Sequence, residues 1–107
     1  MMQDNLLPSN YILAEGPEGL NKVLDELLEK SDQDPIFATS EHYILYQLRD
    51  QKALIKVDTS KKPFHFWYYD LLGRPATRLV KATIAEFLWE KCGAKELYLH
   101  EHESTSR

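Results

Sequence analysis

The fold is decided by residues 42–70, whose sequence is HYILYQLRDQKALIKVDTSKKPFHFWYYD. Runs rich in β-branched and aromatic residues alternate here with short polar stretches, which is the pattern of consecutive β-strands. The runs are residues 42–49, 52–58 and 64–70. A tight turn at Asp50-Gln51 joins the first two, and strands joined by short connections pair antiparallel. This stretch therefore predicts an antiparallel meander.

A helix is predicted on each side of this meander. Pro17 stands near the first helical position, where its missing N–H costs nothing, and apolar residues then recur at helical spacing. These residues are Leu20, Val23, Leu24, Leu27 and Leu28. A second helix is predicted for residues 76–92, followed by Gly93 where a left-handed cap belongs.

Three shorter segments complete the predicted elements. The alternation of Leu97 and Leu99 with polar residues predicts a half-buried strand over residues 95–102. Residues 36–38, with the sequence IFA, are predicted as a short strand. Residues 11–13 are either an edge strand or a packed arm.

Together these elements predict a single α+β domain of order α-β-β-β-α-β. It contains an antiparallel meander of three to five strands, with two helices on one face. A chain of 107 residues has the size of one domain. The domain is predicted to cover residues 10–102, between a flexible N-terminal arm at 1–9 and a flexible tail at 103–107.

Cysteine content and charge indicate the setting in which the chain works. The single cysteine, Cys92, excludes an intrachain disulfide and suits a reducing compartment, so a cytoplasmic location is predicted. No apolar run reaches the roughly 20 residues of a membrane helix, and no membrane contact is expected. The net charge of −4 argues against a nucleic-acid partner, because binding a polyanion needs clustered cations.

The charge is distributed unevenly along the chain. Residues 1–48 carry nine acids and two bases, whereas residues 49–74 carry six bases and three acids. This distribution is either ordinary solvation of a helix face and a turn, or a bipolar surface suited to a charged protein partner.

The second predicted helix carries a second apolar stripe in addition to its core stripe. This second stripe consists of Ala82, Ala85, Trp89 and Cys92. Two interpretations remain open. In the first, the N-terminal segment covers the stripe with Leu6, Leu7, Tyr11 and Ile12. In the second, the stripe is a subunit or partner interface centred on Trp89, a residue type enriched at binding hot spots.

The third predicted strand also has two apolar faces, and the sequence leaves open whether both are covered. Its alternation places Phe64, Phe66 and Tyr68 on one face of the sheet. The residues on the other face are His65, Trp67 and Tyr69. Either both faces are covered by cross-strand and core packing, or the second face binds a partner or stacks on single-stranded nucleic acid.

No catalytic or metal-binding motif is visible in the sequence. Cys92 falls at the C-terminal end of a predicted helix, where the helix dipole disfavours a thiolate. His100 and His102 share a strand face but lack the further ligands of a zinc site. The four glycines are dispersed, so no phosphate-binding loop is formed. The sequence therefore predicts a protein without enzyme activity, cofactor or metal ion, and a small enzyme of unknown class is left as a further alternative.

The order helix, three strands, helix resembles that of double-stranded-RNA-binding domains. In that family the second helix opens with a basic cluster that contacts phosphates, and the matching cations here are Arg74, Arg78 and Lys81. The resemblance implies a nucleic-acid-binding alternative that uses these three residues. The dense lysine pair of the family is missing from this sequence.

Small size, acidity and helix–meander–helix order are also similar to bacterial secretion chaperones. Those proteins dimerise and present apolar patches to an unfolded client, so the resemblance implies a protein partner and a homodimer. The leading hypothesis is a non-enzymatic protein-interaction module, acting as a chaperone, adaptor or inhibitor. Its expected contact residues are Trp67, Tyr69, Ala85 and Trp89, with the acidic first helix steering a basic partner.

Overall fold

The computed structural model describes residues 10–101, in which two helices cover one face of a five-stranded sheet. The elements in chain order are β1 (Ile12–Glu15), α1 (Gly16–Gln33), β2 (Glu41–Leu48), β3 (Gln51–Asp58), β4 (His65–Asp70), α2 (Arg78–Cys92) and β5 (Leu99–Glu101). One turn of 3-10 helix, Phe37–Thr39, precedes β2. The arm and the tail predicted at the two termini lie outside the described residues.

The sheet is mixed, with the strands in the order β1-β2-β3-β4-β5. The predicted antiparallel meander is confirmed for β2, β3 and β4, but β1 pairs parallel to β2 and β5 pairs parallel to β4. The prediction of a purely antiparallel sheet is therefore wrong at both edges. The reason is connectivity: α1 and α2 each carry the chain back along the sheet, so the next strand runs in the same direction as the last.

Four features differ from their predictions: the segment 36–38, the length of the last strand, the start of α2 and the position of the β2–β3 turn. Residues 36–38 were expected to be a strand, but the chain forms the 3-10 turn Phe37–Thr39, in which the Ser40 hydroxyl donates to the Ile36 carbonyl over 2.8 Å. The last strand covers only Leu99–Glu101, and α2 begins at Arg78. The β2–β3 turn lies at Arg49-Asp50, with Arg49 in the left-handed region.

The ends of α2 follow from local side-chain chemistry. Thr77 caps its start, because the side-chain oxygen accepts a hydrogen bond of 3.3 Å from the backbone N–H of Val80. Gly93 ends it with a φ of 68°, a conformation that glycine adopts without a steric cost. The N–H of Ala94 then donates to the Leu88 carbonyl over 2.9 Å. The predicted glycine cap is confirmed.

The core lies between the helices and the face of the sheet that they cover. Alternate residues of β2, β3 and β4 point into this layer, and α1 and α2 contribute apolar residues at helical spacing. The sheet residues without accessible surface include Ile44, Tyr46, Ile55, Val57 and Phe66. The helix residues buried against them include Leu20, Leu24, Leu27, Val80, Ile84 and Leu88.

Two tyrosines in this layer differ in hydrogen bonding, and this difference gives a matched stability test. Tyr46 is fully buried and its hydroxyl has no hydrogen-bond partner among the described residues. The Tyr68 hydroxyl, by contrast, accepts from Gln51 Nε2 at 2.7 Å. Burial is the main cause that raises the pKa of Tyr68 to about 12, and burial also raises the pKa of Tyr46.

We expect Tyr46→Phe to raise the free energy of unfolding by about 1 kcal/mol. The substitution removes a hydroxyl that loses its hydration on folding and gains no hydrogen bond in return. Tyr68→Phe should lower it by about 1 kcal/mol, because Gln51 loses its acceptor. Urea denaturation of both variants measures the two effects. Equal destabilisation by the two substitutions would contradict this account of Tyr46.

Candidate interaction surfaces

The face of the sheet opposite the helices is lined by aromatic, leucine and lysine side chains. Phe64, Phe66 and Tyr68 are buried on the helix side, as the alternation predicts, whereas Trp67 and Tyr69 are half-buried on the open side. Open-face residues of β2 and β3 include Tyr43, Leu45, Lys52, Leu54 and Lys56. Within residues 10–101, both helices lie on the other side, so this face has no second layer.

Trp67 is enclosed by its own neighbours on this open face. Lys56 Nζ lies 4.5 Å from the indole centroid, and the imidazole of His100 is stacked at 5.0 Å. Lys56 belongs to β3 and His100 to β5, and these strands flank β4 on opposite sides. The ring is therefore held between a cation and an imidazole. A base that stacked on Trp67 would first have to displace one of them.

A second ring pair continues the same cluster. His65 stacks on Tyr98 with ring centroids 4.8 Å apart and lies 5.8 Å from His100. Burial is the main cause that lowers the pKa of His65, and the proximity of His100 adds to it. His65 is therefore neutral near pH 7, and its imidazole adds no positive charge to this face.

The outer side of α2 carries the most exposed aromatic ring among the described residues. Trp89 is 73% exposed, and Leu97 beside it is 40% exposed. These two side chains, together with Ala85 and Ala94, line an open apolar depression bordered by Lys95 and Glu96. We call this group the Trp89 surface, defined by Ala85, Trp89, Ala94 and Leu97.

The backbone around Gly93 builds the Trp89 surface. The left-handed cap ends α2 four residues after Trp89, and the following residues turn back beside the helix before β5 begins at Leu99. Sequence reasoning found Ala85 and Trp89 through their helical spacing but missed Ala94 and Leu97. Leu97 was expected to point into the core from a longer strand. Because the strand begins only at Leu99, no alternation constrains Leu97.

The N-terminal segment does not cover the second stripe of α2 with the residues that the structure describes. Tyr11 and Ile12 lie at the β1 edge, where Ile12 pairs with Ile44 of β2, and Leu6 and Leu7 lie outside the described residues. The four expected contact residues fall on two separate surfaces. Trp67 and Tyr69 lie on the open face, and Ala85 and Trp89 lie on the helix layer.

The three cations of the nucleic-acid alternative gather near the start of α2. Arg74 Nε lies 3.1 Å from Asp70 Oδ2, and Lys81 Nζ lies 3.2 Å from Glu101 Oε2. Arg78 is exposed at the first residue of the helix. Two of the three charges are thus paired within the domain. A phosphate would have to compete with these carboxylates.

The remaining candidates for catalysis or metal binding are Cys92 and the histidines near the C-terminus. Cys92 is half-buried at the end of α2, where burial raises the pKa of its thiol, so the thiolate is a minor form near neutral pH. Among residues 10–101, no three His, Cys, Asp or Glu side chains lie close enough together to hold a metal ion. His102 lies outside the described residues.

Comparisons with known proteins give no family or neighbour. No protein-family model, curated protein sequence or solved structure matches this chain. In residues 10–101, neither helix combines the length and the apolar character that crossing a membrane requires.

Proposed function

We propose that this domain is a non-enzymatic protein-interaction module that binds a protein partner through the Trp89 surface. The observation that carries the proposal is the 73% exposure of Trp89 beside the half-exposed apolar side chain of Leu97. Tryptophan is the residue type most enriched at binding hot spots, and its burial against a partner removes a large apolar area from water.

The borders of the Trp89 surface suit a protein partner. Lys95 and Glu96 flank the apolar centre, so a partner meets an apolar contact surrounded by polar groups of both signs. This is the arrangement of a protein–protein interface, in which a dry centre is enclosed by a polar rim. A chaperone, an adaptor and an inhibitor all use such a contact.

The acidic outer side of α1 supports the choice of a basic partner. The exposed charged residues of this helix are five acids and two bases, so its outer side is acidic on balance: Glu18, Asp25, Glu26, Glu29, Asp32, Lys22 and Lys30. Asp25 is paired with Lys91 over 3.4 Å. A net negative charge on one element attracts a partner of opposite charge and raises the rate of association. The association rate is then sensitive to ionic strength.

Trp89→Ala tests the proposal. We expect it to weaken partner binding by at least about thirtyfold, the effect of losing a hot-spot side chain. Partners are first captured from native lysate on immobilised wild-type chain, with and without nuclease, and the affinity of a protein that is captured in both cases is then measured for each variant. Leu72→Ala is the matched control, because Leu72 is 75% exposed but lies in the loop before α2.

Two outcomes would contradict the proposal. The first is equal loss of binding in Leu72→Ala and Trp89→Ala. The second is a set of captured proteins that disappears on nuclease treatment, which would favour the nucleic-acid alternative through Arg74, Arg78 and Lys81. Circular dichroism of each variant establishes that a loss of binding is not a loss of fold.

A further inference from the structure

The exposed side of α2 carries an apolar row that continues the Trp89 surface toward the start of the helix. Ala82 is exposed two helical turns before Trp89, and Leu79, one turn before Ala82, is 47% exposed. Residues at these spacings lie on one side of a helix. Because all three side chains remain exposed, no other helix or strand of residues 10–101 covers this row.

The shape of this row suits a second helix. Its middle is shallow, because Ala82 and Ala85 end at a methyl group, whereas Leu79 and Trp89 project at its two ends. Leu97 borders the row beyond Ala85. Small side chains let a partner helix approach closely and place its own side chains between those of α2. The 15 residues of α2 span about 22 Å, which accommodates a partner of four turns.

Two carboxylates border the row on the side that faces α1. Glu86 and Glu90 are exposed, and they line the same depression as Asn21 and Asp25 of α1. Asp25 is paired with Lys91 over 3.4 Å. Among residues 10–101, however, neither glutamate forms an ion pair. The apolar row therefore has two uncompensated negative charges along one side.

These two glutamates do not stabilise α2 itself. Glu86 and Glu90 are one turn apart on the helix surface, a spacing at which like charges repel each other. Glu90 also lies in the last turn of α2, where the negative end of the helix dipole disfavours an acidic side chain. Cations supplied from outside the helix would remove both unfavourable interactions.

We propose that the partner of the Trp89 surface contributes an amphipathic helix with a basic flank. Its apolar side packs on the row of α2, over Ala82 and beside Trp89, and two lysine or arginine residues one turn apart reach Glu86 and Glu90. An apolar helix face laid into a groove is an established mode of recognition, and the charges along its flank select the partner. This inference rests on the proposed function and adds the secondary structure and the chemistry of the partner.

Three synthetic peptides test the chemistry of the partner. The first has about 18 residues, with leucines at positions i, i+3, i+4 and i+7 and lysines on the flanks of this apolar side. The second has glutamate in place of every lysine, and the third is the basic peptide with a central proline, which breaks the helix. Fluorescence anisotropy of the labelled peptides with the full chain should give a Kd at least about tenfold lower for the first peptide than for either of the others.

Variants of the chain locate the contact. Trp89→Ala should raise the Kd of the basic peptide by at least about thirtyfold, the effect of losing a hot-spot side chain. Glu86→Gln combined with Glu90→Gln should raise it by at least about tenfold. The matched control is Glu41→Gln combined with Asp50→Asn, which removes the same charge from exposed residues in and beside β2. This control should change the Kd by less than about threefold, because distant surface charges are screened.

Three results would overturn this inference. The first is equal binding of the basic peptide and either of the other two. The second is binding of none of the peptides. The third is a free chain that sediments at twice 12.5 kDa and becomes monomeric on Trp89→Ala, because the row would then be occupied by a second copy. In each case the proposed function stands if a protein captured from lysate still loses affinity on Trp89→Ala, so the two failures are distinguishable.

Discussion

Phe66→Ala is expected to lower the free energy of unfolding by about 3–5 kcal/mol, the cost of removing a large aromatic ring from a closed core. Phe66 has no accessible surface and meets Phe87 of α2 edge to face, with ring centroids 6.4 Å apart. Val57 and Leu99 are its neighbours on the two adjoining strands. The truncation thus leaves a cavity where β3, β4, β5 and α2 meet. Urea denaturation monitored by circular dichroism measures the loss.

The matched control is Trp89→Ala, which removes an even larger ring. Because this ring is mostly in solvent, its loss should change the free energy of unfolding by less than about 1 kcal/mol. The comparison separates the core from the Trp89 surface with one measurement. A large destabilisation by Trp89→Ala would mean that the tryptophan contributes to the core and would remove the basis of the proposed function.

Asp70→Ala is expected to lower the free energy of unfolding by about 2–3 kcal/mol, because it leaves several donors without an acceptor. The Asp70 side chain is shielded from solvent at the end of β4. Its carboxylate accepts from the backbone N–H of Leu72 over 2.8 Å, and from the backbone N–H and Nε of Arg74 over 3.2 and 3.1 Å. These bonds fix the loop that leads to α2.

The stabilisation that the Asp70 carboxylate provides depends on pH. Burial raises the pKa of Asp70, but the hydrogen bonds from Arg74 and Leu72 outweigh it, so the pKa in the folded state lies below 3.8. The stabilisation is complete above the unfolded-state pKa and is lost as the pH falls through the folded-state pKa. The difference in stability between wild type and Asp70→Ala should therefore shrink only in strong acid.

Asp25→Ala is the matched control for Asp70. The Asp25–Lys91 pair spans 3.4 Å, but both side chains are about half exposed, so its loss should cost no more than about 0.5 kcal/mol at any pH. If the two aspartates gave equal effects, the loop bonds to Asp70 would not be a source of stability.

The parts of this fold that were predictable are those encoded by neighbours in the chain. Strand alternation in residues 42–70, the helical spacing from Leu20 to Leu28 and the glycine cap at Gly93 are local patterns, and all three were confirmed. The parallel pairing of β1 and β5 was not predictable in the same way. It joins residues that are distant in sequence, and four-residue and three-residue strands show almost no periodicity of their own.

For the candidate interaction surfaces, the sequence predicted which residues share a side but not which of them are exposed. Helical spacing shows that Trp89 and Ala85 share a side, but exposure depends on what lies beside the helix. For Trp67, the face of the sheet was predicted correctly but the packing around the ring was not. Its alternation placed it correctly on the open face, yet Lys56 and His100 enclose it from neighbouring strands. The two-residue alternation within one strand cannot show which side chains of neighbouring strands pack against each other.

The reversed direction of β3 has a consequence for how the chain folds. Four strands run one way and β3 alone runs the other, so the two pairings that involve β3 close through short connections, Arg49-Asp50 and residues 59–64. The pairings of β1 and β5 must instead enclose a whole helix, and the entropy of closing a loop grows with its length. We therefore expect the central three strands to form first, through their more local contacts, and the two edge strands to join them last. Opening of either edge would leave the pairings of β2, β3 and β4 intact, so the edges are the parts of the sheet where local opening costs least.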